Sequence, residues 1–167
     1  MAVTSFRGMK WTDRGWEALR KRVTSGPAVN HAAVGVVGSD ASRPHPLRDG
    51  DLSIEEVALL NEFGNSNQPE RSFLRRTFNW DKSNARELKH HLAQASREVM
   101  FRSKSWGTAL VSVGEWGVKK IQATIMSNVG PANAQSTIDD KGKGTTLRHT
   151  MTLFNAISYI INGPKGK

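Results

Sequence analysis

Asp139-Asp140-Lys141-Gly142-Lys143-Gly144-Thr145-Thr146 packs two carboxylates, two lysines and two glycines into one short stretch, a composition that could cradle a phosphate. A P-loop, however, needs Gly, four residues, then Gly-Lys and Ser or Thr, set between a strand and a helix. Neither the spacing nor the flanks fit here, and the segment reads as a solvated loop. His90 and His91 are consecutive, so on a helix they point about 100° apart and cannot ligate one metal together. His31, His45 and His149 lack the spacing of a metal site. Glu55, Glu56 and Glu62 suggest a paired-carboxylate site, but capping and solvation explain the first two, and the sequence shows no positioned partner for the third. There is no cysteine, which removes thiol nucleophiles, Cys-based zinc sites and disulfides. No nucleophile elbow, dinucleotide glycine pattern or kinase signature is present. The expectation is a protein that is not an enzyme, with no catalytic residue, no metal and no cofactor.

The elements that must carry these residues follow from periodicity and punctuation. Trp16, Leu19 and Val23 predict an amphipathic helix over 12–24, stopped by Ser25-Gly26-Pro27. Residues 32–38 form a β-branched run between turn formers, hence a strand, and 39–51 a loop. Ser53-Ile54-Glu55-Glu56 is a capping box that opens a brief helix ending near Phe63-Gly64, where Gly64 suits a positive φ. A polar loop over 65–70 leads to 71–78, which alternates loosely in the manner of a strand. Ala85, Leu88, Leu92, Ala95 and Val99 predict a helix over 81–102 with a narrow apolar seam. Leu110, Val111, Val118, Ile121 and Ile125 predict another over 106–128, in which Gly114 and Gly117 would permit a close crossing. Residues 129–146 have almost nothing to bury and read as a long loop or arm. A last short helix (147–156), a strand (157–161) and a flexible tail (163–167) complete a single domain over 1–167. The expected class is α+β: a small, mainly antiparallel sheet with helices packed on one face.

Charge and composition constrain partners. The 167 residues carry a net charge of +9, with a hydrophobic content of only 37%. Residues 40–70 hold two basic and seven acidic side chains, while 71–104 hold nine basic and three acidic. Adjacent blocks of opposite sign suit head-to-tail docking between copies, and an overall positive charge also suits contact with nucleic acid. No apolar run approaches the ~18 residues of a membrane span, and the first residues lack a signal-peptide core, so a soluble protein made in the cytosol is expected. Five tryptophans are many for this length. Trp16 and Trp116 read as packing residues, and Trp80 and Trp106, at helix starts near basic residues, as contacts between subunits.

A longer pattern crosses these elements. Val57-Ala58-Leu59-Leu60-Asn61-Glu62-Phe63-Gly64, followed by Pro69-Glu70-Arg71-Ser72-Phe73-Leu74-Arg75, resembles the "A-x-x-N-E-F-G … P-x-R-P-F-L-R" signature of bacteriophage tail-completion and head–tail joining (neck) proteins. Further on, Lys120-Ile121 to Ile125, Gly130-Pro131-Ala132-Asn133, Thr137-Ile138, Lys141-Gly142, Leu147, Thr150, Leu153 and Asn155 to Tyr159 follow the same family's order. The resemblance covers roughly 50–162. Ser72 stands for the usual proline, Arg76 for the proline after the second arginine, Thr146 for the proline before Leu147, and Met151 for the glycine after Thr150.

The resemblance implies a structural virion protein, a ring-forming subunit of the tail or neck that meets other neck, connector and tail-tube proteins. DNA passing through the lumen would add a weak contact. A tail terminator capping the tube is the alternative within the virion, and a basic DNA-binding accessory protein the alternative outside that class. Candidate interface residues are Glu62, Phe63, Gly64, Arg71, Phe73, Arg75, Trp80 and Trp106, with Asp139, Asp140, Lys141 and Lys143 in the arm. For the Glu62–Arg75 segment, ring interface and local fold stabilisation both stand open.

Overall fold

The computed structural model describes residues 15–24, 31–46, 52–80, 82–135, 138–139, 145–148 and 150–162. The class is α+β. In chain order the elements are α1 (Trp16–Thr24), β1 (His31–Val36), α2 (Ile54–Phe63), α3 (Phe73–Arg75) running into a π-turn (Arg76–Trp80), α4 (Lys82–Arg102), α5 (Trp106–Met126), α6 (Thr152–Asn155) and β2 (Ile157–Asn162). The strands pair antiparallel, Val34 opposite Tyr159 and Val36 opposite Ile157, so the first and last described strands, far apart in sequence, meet in one sheet.

α5 is the centre of the molecule. It packs against both strands and against α4. Its two interior glycines explain how closely: a Cβ on Gly114 would fall 2.5 Å from the Tyr159 ring, and one on Gly117 would fall 3.0 Å from Val34. A side chain at Gly114 would have to displace the Tyr159 ring, and one at Gly117 would press on Val34. Ile121 and Ile125 join Phe73, Val129, Leu153 and Ile157 in one apolar cluster. Toward the other end of α5, Ala109, Leu110 and Val113 close on Ala95 and Val99 of α4, with Trp106 half-buried against them.

Several expectations are corrected. Within 71–78 the chain is helical from Phe73 onward rather than a strand, because the Glu62 carboxylate accepts from the N–H groups of Leu74 and Arg75, donors that a new helical turn leaves free. The Thr77 hydroxyl then donates to the Phe73 carbonyl at 2.7 Å, holding the wider turn beyond it. The 147–156 helix shrinks to four residues because Leu147 and Met151 both adopt left-handed backbone, with φ of 60° and 56°. On α4 the buried side is rotated from the predicted seam: Ala95 and Val99 are buried, Ala85 and Leu92 are exposed, and Asn84 is buried with its amide on the Thr77 carbonyl. Trp16 is exposed over 58% of its surface rather than packed inside. The capping box is present as expected, with Ser53 Oγ accepting from Glu56 N–H and Glu56 Oε2 from Ser53 N–H.

Candidate functional site

A dense polar arrangement lies between the end of α2 and α3. The last turn of α2 presents Asn61 and Glu62 inward, both buried. Gly64 then reverses the chain at φ 69°; a Cβ there would meet the backbone of Glu70 at 2.7 Å, so glycine is required twice over, by conformation and by space. Across this tight return Arg71 N–H donates to the Asn61 carbonyl at 2.7 Å, and the Gln68 amide donates to Asn61 Oδ1 at 2.7 Å.

Glu62 organises the turn at α3. Its carboxylate receives Leu74 N–H and Arg75 N–H, each at 2.9 Å, and the Arg75 guanidinium at 3.1 Å. The same guanidinium donates to the Glu62 carbonyl and to Ser72 Oγ, and pairs with Glu70 at 3.0 Å. Ser72, standing where the signature has proline, donates from its hydroxyl toward the Glu62 carbonyl and lies in hydrogen-bond contact with Glu70. Arg75 also sits over the Phe63 ring, 4.9 Å from its centre. The partner that Glu62 lacked in the sequence is therefore Arg75.

Arg71 reaches the other way. Its guanidinium donates to the Pro131 carbonyl at 3.0 Å and to the Ala132 carbonyl and Asn133 Oδ1. Burial lowers its pKa from the ordinary arginine value. Asn133 in turn donates to the Thr145 carbonyl, and Thr146 is held by Asn128 Oδ1 and the Val129 carbonyl. The two ends of the 129–146 stretch are thus fastened together and to the Glu62–Arg75 unit.

The predicted interface residues fall into groups. Glu62, Arg71 and Phe73 are buried, Phe73 completely, and Glu62 and Arg71 make their hydrogen bonds within the chain. Gly64 makes the turn. Arg75 is partly exposed, and Phe63 is exposed over 61% of its surface, beside exposed Leu59 one helical turn earlier. Trp106 lies against the second apolar cluster. Asp139 is exposed and accepts from Gln135; Asp140, Lys141 and Lys143 lie outside the described residues, as does the side chain of Trp80.

A second cluster, with no signal in the sequence pattern, joins α4 to α5. Trp116 Nε1–H and Lys120 donate to Glu87, at 3.0 and 2.9 Å, and Phe78 and His91 flank the indole. Lys120 first, then Trp116, hold the Glu87 carboxyl below the ordinary carboxylate range. The rings of His90 and His91 stand 6.0 Å apart, edge to face. Among the described residues, no group of three or more His, Asp or Glu side chains converges as a metal site, and no helix is long and apolar enough to cross a membrane. Compared with known proteins, the chain matches no family model, no curated protein and no solved structure.

Proposed function

We propose that this chain is a structural subunit of a tailed-bacteriophage virion that completes the tail or joins it to the head. The observation that carries the reading is the meeting of the two halves of the neck-protein signature. The Asn61-Glu62-Phe63-Gly64 and Arg71–Arg75 pieces close on each other through Glu62 and Arg75. Arg71 then extends to Pro131, Ala132 and Asn133, some sixty residues further along the chain. A resemblance built from separate short motifs gains weight when those motifs make one interlocked unit, because each piece then has a physical reason to accompany the others. The partly exposed Arg75 and the exposed Phe63 and Leu59 form the outer side of this unit, suited to a neighbour in a ring.

Labelling purified virions with an antibody raised against the chain tests the assignment. The expected result is label at the head–tail junction. Label on the capsid surface or the distal tail fibres, or none on intact and disrupted particles alike, would reject it.

A further inference from the structure

The two charge blocks meet opposite fates on folding. In residues 40–70, Asp40 pairs with Arg43 at 3.0 Å, Glu56 closes the capping box, and Glu62 and Glu70 share Arg75. Among the described acids of that block, this leaves Glu55 exposed and without an ion pair. In the basic block, Arg71 and Arg75 turn inward and Arg102 and Lys104 flank Glu98. Arg76 in the π-turn and Lys82, Arg86, Lys89 and Arg97 beyond it do neither: all five are exposed and make no ion pair among the described residues, and the last four form a row.

These four cations lie on α4. Their steps of four, three and eight residues keep them within about 80° of the helix circumference and spread them over about 22 Å of its axis. Asn84, Ala95 and Val99 occupy the opposite side and lock it against the π-turn and α5, so the row cannot rotate away. The acids of α4, Glu87 and Glu98, are engaged with Lys120 and Lys104. α1, which packs against α4, adds exposed Arg20 and Lys21.

We propose that this outer face of α4 docks on the phosphate backbone of duplex nucleic acid. A fixed row of like charges repels itself in the free protein and is relieved by a polyanion. Its length matches roughly six base-pair rises of a duplex at 3.4 Å each. A second copy of the chain is the poorer complement, since most of its described acids are engaged within the fold, and the exposed Glu55 and Glu115 lie on separate elements, α2 and α5, rather than in a matching row. Backbone contact of this kind carries no sequence preference. The inference rests on the charge inventory and stands apart from the neck assignment.

The test is fluorescence anisotropy of the full chain with a labelled duplex of arbitrary sequence, about 20 base pairs long, titrated between about 50 and 200 mM salt. Wild type should bind with affinity that falls steeply with salt. Arg86→Gln/Lys89→Gln/Arg97→Gln should weaken binding at least about tenfold at the lower salt and flatten the log–log slope by about 2–3, near 0.9 per lost phosphate contact. Lys119→Gln, an exposed cation on α5, should change neither. If circular dichroism shows the triple variant unfolded, Lys82→Gln/Arg97→Gln is read instead, with a slope change of about 2 expected. Wild type that fails to bind, or a folded stripe variant with an unaltered slope, overturns the proposal. So does a variant that binds duplex normally but loses self-association, which would make the face a protein contact.

Discussion

At the scale of single residues, Glu62 shows how one buried carboxylate can set a local fold. It caps the turn at Phe73–Arg75 through two backbone N–H groups and receives the Arg75 side chain as well, so three donors depend on one group. Glu62→Gln keeps the shape but offers one acceptor oxygen in place of two and removes the charge. It should cost roughly 2 kcal/mol, a fall of about 4–8 °C in Tm, since the Leu74 and Arg75 N–H groups lose their shared charged acceptor while the Arg75 side chain keeps Glu70. A loss below about 0.5 kcal/mol by denaturant titration would mean the donors find water instead. The sequence made Gly64 and the capping box readable because each is a local device whose reason lies within a few residues. Glu62 was not readable from its neighbours, as its partner stands thirteen positions away. It stands out in the sequence only through the longer signature.

At the scale of elements, the places where the chain departs from its predicted course are those where backbone conformation overrides pattern. The loose alternation of 71–78 could not report the Glu62 cap that makes it helical. The 147–156 helix fails where Met151 takes φ 56°, the position at which the signature carries glycine. Non-glycine residues pay about 1–2 kcal/mol in that region, so Met151→Gly should raise stability by about 0.5–1 kcal/mol after the added chain entropy is counted. A destabilised Met151→Gly protein would show that the half-buried side chain contributes more by packing than its backbone costs. By contrast, the limits of α4 and α5 agree with the sequence to within two residues, because long periodic helices with clear stops encode their own ends. The 129–146 stretch was expected to have little to bury. Its ends do bury Val129 and Thr146, tied across by Asn128, while much of the proposed arm lies outside the described residues. Because those ends are already fastened, removing Gln135–Lys143 should leave the fold and its Tm nearly unchanged and abolish head–tail joining. Infectious particles carrying the deletion would dismiss the arm as a joining element.

At the scale of the whole molecule, one helix holds the structure together: α5 carries the sheet on its glycine positions and closes both apolar clusters. The α+β class was legible from the order of elements, whereas the use of the charge blocks was not. Composition counts side chains without recording which are engaged inside the fold; here the acids are largely engaged and a row of cations on α4 is left outward. That asymmetry gives the chain two different surfaces, a cationic helix face and the partly apolar rim of Phe63, Leu59 and Arg75. A piece that lies between a DNA-filled head and a protein tail would use both. The most direct measurement is electron microscopy of the particles made when the gene for this chain carries a nonsense mutation. The account predicts DNA-filled heads accumulating beside separate tails, with tails of irregular length if the subunit ends the tube. Normal, infectious particles would contradict it.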